Sequence, residues 1–257
     1  MNKKDIFSRY KILLFADIYT NYNYPQRGLA AIKILQTLGA DLQLSDSLPD
    51  GRAALSQGMV ETARKRAVKT AAYLLPFIDQ GRDIVAVEPS VLAMFRRDYK
   101  HLLNDDGQFE KLSAHSYEPL EYVEKIVREN NLSFNEIFDL SRAENKNIFY
   151  HPHCQQKTIA GEQATKRILE ALGFNVAYSN VECCGMAGSF GFKKEFYEVS
   201  MEAGKQLFKQ IEQSENSADN SKRVVLASGV SCSEQIDDGM GRSVRHPLEM
   251  LADMLKE

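Results

Sequence analysis

The feature that most limits how this chain can fold is an internal repeat: residues 11–91 are laid out a second time in residues 147–232. The run Lys11-Ile12-Leu13-Leu14-Phe15-Ala16-Asp17-Ile18 lies over Asn147-Ile148-Phe149-Tyr150-His151-Pro152-His153-Cys154 as an apolar strand ending in a loop. Ile32 to Gly39 then matches Lys166 to Gly173, each an amphipathic helical segment closed by a glycine. Both copies run through a short strand into a glycine-bearing loop, Gly51 to Gly58 or Gly185 to Gly191, and then into a long helix. Val60, Ala63, Ala67, Ala71 and Leu74 mark the apolar face of that helix in the first copy, and Val199, Ala203, Leu207 and Ile211 mark it in the second. Each copy closes on a further strand-like run, Ile84 to Val91 and Val225 to Cys232. Strands alternating with helices build parallel sheets. The expected fold is therefore α/β: two tandem pseudo-repeated α/β units with parallel-type sheets flanked by helices. Expected boundaries are a first unit at 1–103, a helical connector at 104–146 and a second unit at 147–257.

The connector reading starts from the polar stretch Asn104-Asp105-Asp106-Gly107-Gln108. After it, Pro119 suits the first turn of one helix, and Ser133-Phe134-Asn135-Glu136 has the spacing of a capping box for another. Ser214 to Ser221 reads as a mobile surface loop, and His246-Pro247 as the start of a last helix. With 44% hydrophobic residues and a net charge of −3, the chain has the composition of a soluble globular protein. No apolar stretch approaches the ~20 residues that cross a bilayer, and the early lysines are not followed by an apolar signal core. The expected location is cytoplasmic, with any peripheral docking at the inner membrane made through a partner. A balance of 32 basic against 35 acidic residues, with no Trp, marks no nucleic-acid surface.

All four cysteines fall between positions 154 and 232, in the second copy only. At the positions of Cys154, Cys183, Cys184 and Cys232 the first copy carries Ile18, Pro49, Asp50 and Val91. One half thus holds a candidate site that its twin lacks. Adjacent Cys183 and Cys184 make poor disulfide partners, because a bond between neighbours strains the backbone. In a parallel sheet, ligands collect where loops leave the carboxyl ends of the strands. Three such loops would bring the four thiols together around a soft metal or an iron–sulfur cluster. The plainer alternative is four small buried hydrophobes. His151 and His153, alternating just before Cys154, are further candidate ligands, since three cysteines and a histidine, or four cysteines, satisfy tetrahedral zinc. His246 is expected to organise a helix start, and His101 and His115 to be solvated.

Cys183-Cys184-Gly185-Met186-Ala187-Gly188-Ser189-Phe190-Gly191, with Cys154 upstream and Ser231-Cys232 downstream, resembles the cysteine-rich CCG domain. That domain occurs in the B-type component of heterodisulfide reductase, in iron–sulfur subunits of glycolate oxidase and anaerobic glycerol-3-phosphate dehydrogenase, and in the lactate-utilisation iron–sulfur protein. With His246-Pro247, the string is similar in particular to the carboxyl-terminal region of FAD-linked D-2-hydroxy acid dehydrogenases. The resemblance spans nearly the whole chain as two tandem CCG-type repeats. It implies an electron conduit: a [4Fe–4S] cluster held by Cys154, Cys183, Cys184 and Cys232, FAD carried only by a partner flavoprotein dehydrogenase, and a quinone or other electron-chain acceptor. In the heterodisulfide reductase branch a final C-x-x-C supplies a further thiol; here its first position is Gly229.

Gly185 and Gly188 belong to a G-x-x-G-x-x-G series, which differs from the dinucleotide fingerprint. They are expected to let the backbone approach a cluster and donate N–H groups to its sulfurs. Lys157, Lys193 and Lys194 lie near these loops, either solvated or offsetting cluster charge. The chain has no recognisable flavin-binding half, so it is not expected to oxidise a substrate alone. A reading of a different class makes it a non-redox scaffold with structural zinc or no metal.

Overall fold

The computed structural model of the protein describes residues 10–159, 161–215 and 222–256; the early lysines and residues 216–221 of the expected surface loop lie outside the described residues. In the first half, β1 (Lys11–Phe15), β2 (Asp41–Leu44), β3 (Asp83–Ala86) and β4 (Ser116–Tyr117) form one sheet in the order β2-β1-β3-β4. In the second, β5 (Asn147–His151), β6 (Asn175–Tyr178), β7 (Val224–Ala227) and β8 (Val244–Arg245) form another in the order β6-β5-β7-β8. Every ladder is parallel, and the registers agree residue for residue. Ile12 faces Asp83 as Ile148 faces Val224, and Ile84 faces Ser116 as Val225 faces Val244. The chain is two tandem α/β units, as the repeat requires.

Two expectations need correction. The stretch 104–146 holds helices, but it also contains β4, which pairs with β3 and completes the first sheet. It is thus part of the first unit's architecture. The runs Ile84 to Val91 and Val225 to Cys232 are not strands throughout. β3 stops at Ala86 and β7 at Ala227, and helices begin at Pro89 and Val230. Pro89, whose fixed φ suits a first helical turn, and the Ser228-Gly229 loop turn the chain there.

Twelve α-helices cover the sheets among the described residues: α1 (Pro25–Thr37), α2 (Arg52–Ser56), α3 (Val60–Asp79), α4 (Pro89–Arg96), α5 (Asp106–Ala114), α6 (Pro119–Glu129), α7 (Phe134–Ile137), α8 (Cys154–Thr158), α9 (Glu162–Leu172), α10 (Tyr197–Glu215), α11 (Val230–Met240) and α12 (Pro247–Asp253). Strand side chains alternate between two faces. Ile12 and Leu14 of β1, Val85 of β3, Ile148 and Tyr150 of β5 and Leu226 of β7 all enter one core with α1, α6, α9 and α12. In that layer α1 packs on α12 and α9 on α6, the pairing expected of a pseudo-twofold, since α1 corresponds to α9 and α6 to α12. The opposite faces are covered separately: Leu13, Phe15, Ile84 and Ala86 by α3, α4 and α5, and Phe149, Val225 and Ala227 by α10 and α11. The result is five layers with one shared helical layer in the middle.

The helix faces follow the predicted periodicity only in part. Ala63, Ala67, Ala71 and Leu74 of α3 are buried, whereas Val60 is exposed. In α10, Leu207 and Ile211 are buried, but the first two turns present Ser200 and Gly204 inward and leave Val199 exposed. Small residues win there because a loop backbone lies directly on the helix.

At the junction, Glu88 Oε2 accepts from Val230 N at 3.1 Å, so an acid from the end of β3 caps the amino terminus of α11. Arg97 reaches across to Gln155 Oε1 at 2.7 Å and Thr158 Oγ1 at 2.9 Å. Asp17, fully buried after β1, accepts from Tyr19 N and Thr20 N through one oxygen and from Thr20 Oγ1 through the other. Burial, followed by the charges of Glu88 and Asp50, outweighs these bonds and pushes the Asp17 carboxyl from 3.8 to about 7. The folded chain therefore holds a proton that the unfolded chain has released. The stability this group allows is full below pH ~4 and declines as pH rises towards about 7. Asp17→Asn should flatten that decline: between pH 5 and pH 8 the parent's urea midpoint should fall more than the variant's, and parallel pH profiles would contradict the assignment.

Candidate metal centre

The candidate site sits where the strands of the second sheet end. His151 is the last residue of β5, and Cys154 is the first of α8, just beyond it. Cys183 and Cys184 lie in the loop after β6, and Cys232 in the first turn of α11 after β7. Three loops from three strand ends thus converge, as in other parallel sheets. Cys232 occupies a helix amino terminus, where backbone N–H groups and the helix dipole favour a thiolate.

Donor atoms of His151, Cys184 and Cys232 all lie within 4.8 Å of one another, and all three residues are buried. Cys154 and Cys183 are half-buried, and none of the four thiols is in a disulfide. The four thiols lie close enough to shift one another's protonation, Cys154 with Cys183, Cys183 with Cys184 and Cys184 with Cys232. This pairing fixes the direction of each shift. Sharing with Cys183, reinforced by burial, pushes the Cys154 thiol up. Bonds from Cys154 and Cys184 pull Cys183 down. Bonds to Cys183 and Cys232, then burial, push Cys184 up, while the bond from Cys184 pulls Cys232 down against burial. Thiols grouped in this way suit a thiophilic cation, which binds them as thiolates and releases their protons.

His151 supplies a second sign of fit. Its Nδ1 lies 2.9 Å from Ser179 Oγ, whereas its buried Nε2 has no partner. A buried ring nitrogen without a partner costs free energy unless something binds it. A ring nitrogen of His151 lies within 4.8 Å of the Cys184 and Cys232 sulfurs, and Ser179 holds the ring as an outer partner holds a metal-bound histidine.

His153, the other candidate ligand, does a different job. Its Nδ1 accepts from Gln155 N at 3.1 Å, which leaves the proton on Nε2 to be donated to Ser231 Oγ at 3.1 Å. One ring nitrogen thus caps α8 and the other bonds Ser231 of α11, so both are occupied. The ring also explains Gly229, whose φ of −108° any residue could adopt. A Cβ there would lie 2.2 Å from His153 Cδ2 and 2.7 Å from Cγ. The place of the extra thiol found in the heterodisulfide reductase pattern is filled by imidazole. His246 caps α12 in the same manner, accepting from Leu248 N and bonding Ser228 O through Nε2, with its pKa pushed well below the usual value by burial and then by Arg27. His101 is exposed; His115 is also exposed but bonds Asp83 Oδ1 at 2.8 Å.

The glycines serve packing as well as the sulfurs. Gly185 N donates to Cys183 Sγ at 3.4 Å. At φ +101°, however, a Cβ on Gly185 would lie 2.3 Å from Ser200 O, so its main duty is to let the cysteine loop lie on α10. Gly51, its counterpart in the first half, has φ +95° and meets Ala63 O of α3 in the same way. Gly188, at φ +71°, faces Ser56 of α2, so the loop also touches the first half. Lys157 donates to Val181 O at 2.6 Å and fastens α8 to the cysteine loop, Lys193 donates to Gln57 Oε1 at 2.8 Å, and Lys194 is exposed. Two participants carried no sequence signal: Ser179 and Ser231, each set by its ring partner.

Gly229→Ala should cost about 1–3 kcal/mol through collision with His153. Adding His153→Ala should recover part of it, and chemical denaturation of the two single variants and the double variant reads this coupling. Purely additive losses would show that the ring is not the obstacle.

Comparison with known proteins agrees with this construction. Residues 148–237 match the family of the CCG cysteine-rich domain. Over 250 residues the chain is 28% identical to the C-type component of the anaerobic glycerol-3-phosphate dehydrogenase of Escherichia coli (strain K12), one of that enzyme's subunits, covering 95% of this chain and 59% of that protein. It is 26% identical to the D-2-hydroxyglutarate dehydrogenase of the same strain over 248 residues, 95% of this chain but 23% of that one. It is 22% identical to lactate utilization protein A 1 of Bacillus anthracis (strain CDC 684 / NRRL 3495) over 262 residues, 96% of this chain and 100% of that protein. The chain spans under two thirds of the glycerol-3-phosphate and hydroxyglutarate relatives. The part of the chain that matches the cysteine-rich CCG domain, residues 148–237, is thus the half that carries all four thiols.

Proposed function

We propose that this chain is an electron-transfer component of a flavin-linked dehydrogenase acting on a 2-hydroxy acid of the lactate, glycolate or 2-hydroxyglutarate type, or on glycerol 3-phosphate. Its centre is a [4Fe–4S] cluster bound through Cys154, Cys183, Cys184 and Cys232. The observation that carries this reading is the gathering of buried Cys184, Cys232 and His151, whose donor atoms lie within 4.8 Å of one another, with half-buried Cys154 and Cys183 on the same strand-end loops. The similarity to one subunit of a dehydrogenase, to a hydroxyglutarate dehydrogenase and to a lactate-utilisation protein supports the redox assignment. A bound cluster supplies one-electron exchange at a potential set by its surroundings.

The chain's own residues set those surroundings. Buried Cys184 and Cys232 anchor the centre, and half-buried Cys154 and Cys183 give it an edge towards solvent, where a partner flavoprotein can approach. Gly185 N–H bonding to Cys183 Sγ stabilises negative charge on sulfur. Among the described residues no helix is long and apolar enough to cross a membrane, so contact with a quinone pool at the inner membrane would run through a partner.

One observation favours a second reading. Three donor atoms within 4.8 Å of one another also suit a single tetrahedral ion, with sulfur at about 2.3 Å and imidazole nitrogen at about 2.0–2.1 Å from zinc. In that case Cys184, Cys232 and His151 with one outer cysteine form a structural site, and the chain is a redox-silent scaffold.

Anaerobically purified chain should contain iron and sulfide and show broad visible absorption that bleaches on reduction. Cys183→Ser or Cys184→Ser should lose most of the metal, whereas Ile18→Ala should keep it. Zinc as the sole metal would replace the electron-transfer reading with the scaffold, and full metal retention in a variant lacking both adjacent cysteines would remove the site itself.

A further inference from the structure

The strand that ends at His151 carries a buried hydroxyl where its twin carries none. Tyr150 of β5 pairs with Leu226 of β7 as Leu14 of β1 pairs with Val85 of β3, so Leu14 is its counterpart in the first half. Two residues beyond those strand partners stand Ser228 in the second half and Val87 in the first. All four residues are buried. Leu14 and Val87 simply enter the common apolar core, whereas Tyr150 OH and Ser228 Oγ bond each other at 2.8 Å. The same phenol donates to Gln156 Oε1 at 3.3 Å. A phenol has one proton to give, so the order along the string is Ser228 Oγ to Tyr150 OH to Gln156 Oε1.

Each end of this string lies on a segment that leads to a thiol. Gln156 follows Cys154 in the short helix α8, and Ser228 stands just past the end of β7, in the turn that leads into α11 and Cys232. Gln156 is buried and its Nε2 has no hydrogen-bond partner, so among the described residues the bond from Tyr150 is what holds its amide. Ser228 O accepts from His246 Nε2 at 3.0 Å, which ties the other end to α12. Burying two hydroxyls and an amide costs free energy that their mutual bonds only offset. The first half closes the same strand ends with Leu14 and Val87, so the architecture does not require the polar string. The half that bears this cost is the half that bears the cysteines. We propose that Tyr150 is a positioning residue of the cysteine centre: its hydroxyl sets the spacing between the Cys154 segment and the Cys232 segment. Ser179 orients a candidate ligand ring directly, and Tyr150 acts one step further out, on the backbone segments that carry the sulfurs.

The inference rests on the metal-centre reading above, and the test separates the two. Tyr150→Phe removes one oxygen and keeps the ring. The metal-loaded chain is compared with Tyr150→Phe, Ser228→Ala and the double variant by competition with a chelator and by the spectrum of the centre. That spectrum is the electron paramagnetic resonance of the reduced centre or, if the parent holds zinc, the visible bands after cobalt substitution. Tyr150→Phe should lose metal to the chelator about tenfold more readily and should change the spectrum. Ser228→Ala should move both in the same direction, and the double variant should add little to Tyr150→Phe, because both changes break one string. Val87→Ala loosens the matching strand end of the first half; it should lower the urea midpoint yet leave spectrum and metal release at the parent's values, which a general loosening would not do. Should Tyr150→Phe fail to fold, Ser228→Ala is decisive. Parent-like spectrum and release in the folded, loaded variants, or an equal change in Val87→Ala, would overturn the role of Tyr150 and leave the metal centre standing. A parent chain that holds no metal would overturn both.

Discussion

A parallel sheet must be covered on both faces, because neither face is built to meet water. Here each sheet meets that requirement with one private layer of helices and one layer it shares with its twin. α1, α6, α9 and α12 fill the space between the sheets, and their side chains enter a single core with Ile12, Leu14, Ile148, Tyr150 and Leu226. Neither unit could keep its inner face dry without the other. The pseudo-twofold that results also sets the carboxyl ends of β3 and β7 against each other, so Glu88 at the end of one strand caps the helix that follows the other.

The two halves differ in what they place at these strand ends. The geometry that gathers thiols in the second half exists in the first, where Gly51 turns the chain onto α3 as Gly185 turns it onto α10. The first half fills the corresponding interior with Asp17, Asp50 and Glu88, all buried. At the same junction Arg27 Nη2 donates to Ser233 Oγ and Glu88 accepts from Val230 N, so polar groups of the first half bond the start of α11.

Close backbone approach is the second constraint. The cysteine loop rests on α10 only because Gly185, Ser200 and Gly204 leave room, and His153 caps α8 only because Gly229 has no side chain. These contacts explain why the inward face of α10 begins with serine and glycine although Val199 and Ala203 continue the apolar period. Hydrophobic periodicity reports which face seeks burial; it does not report where a neighbouring backbone demands the smallest residue.

The repeat, the parallel α/β architecture, the four cysteines and the glycines around them were legible in the sequence, because spacing along the chain carries those signals. Strand ends were less so: β-branched Val230 and Val91 read as strand continuations, yet both lie in helices begun by a tight turn. The sequence could not separate His151 from His153, since two residues alternating before a cysteine look equivalent until the strand stops at His151 and the next turn sends His153 into a cap. Composition and local period determined that two similar sheets would form and which of them would bear thiols. Only the folded chain decided which ring nitrogen is left without a hydrogen bond, because that follows from where the loop bearing Ser179 lies against the end of β5.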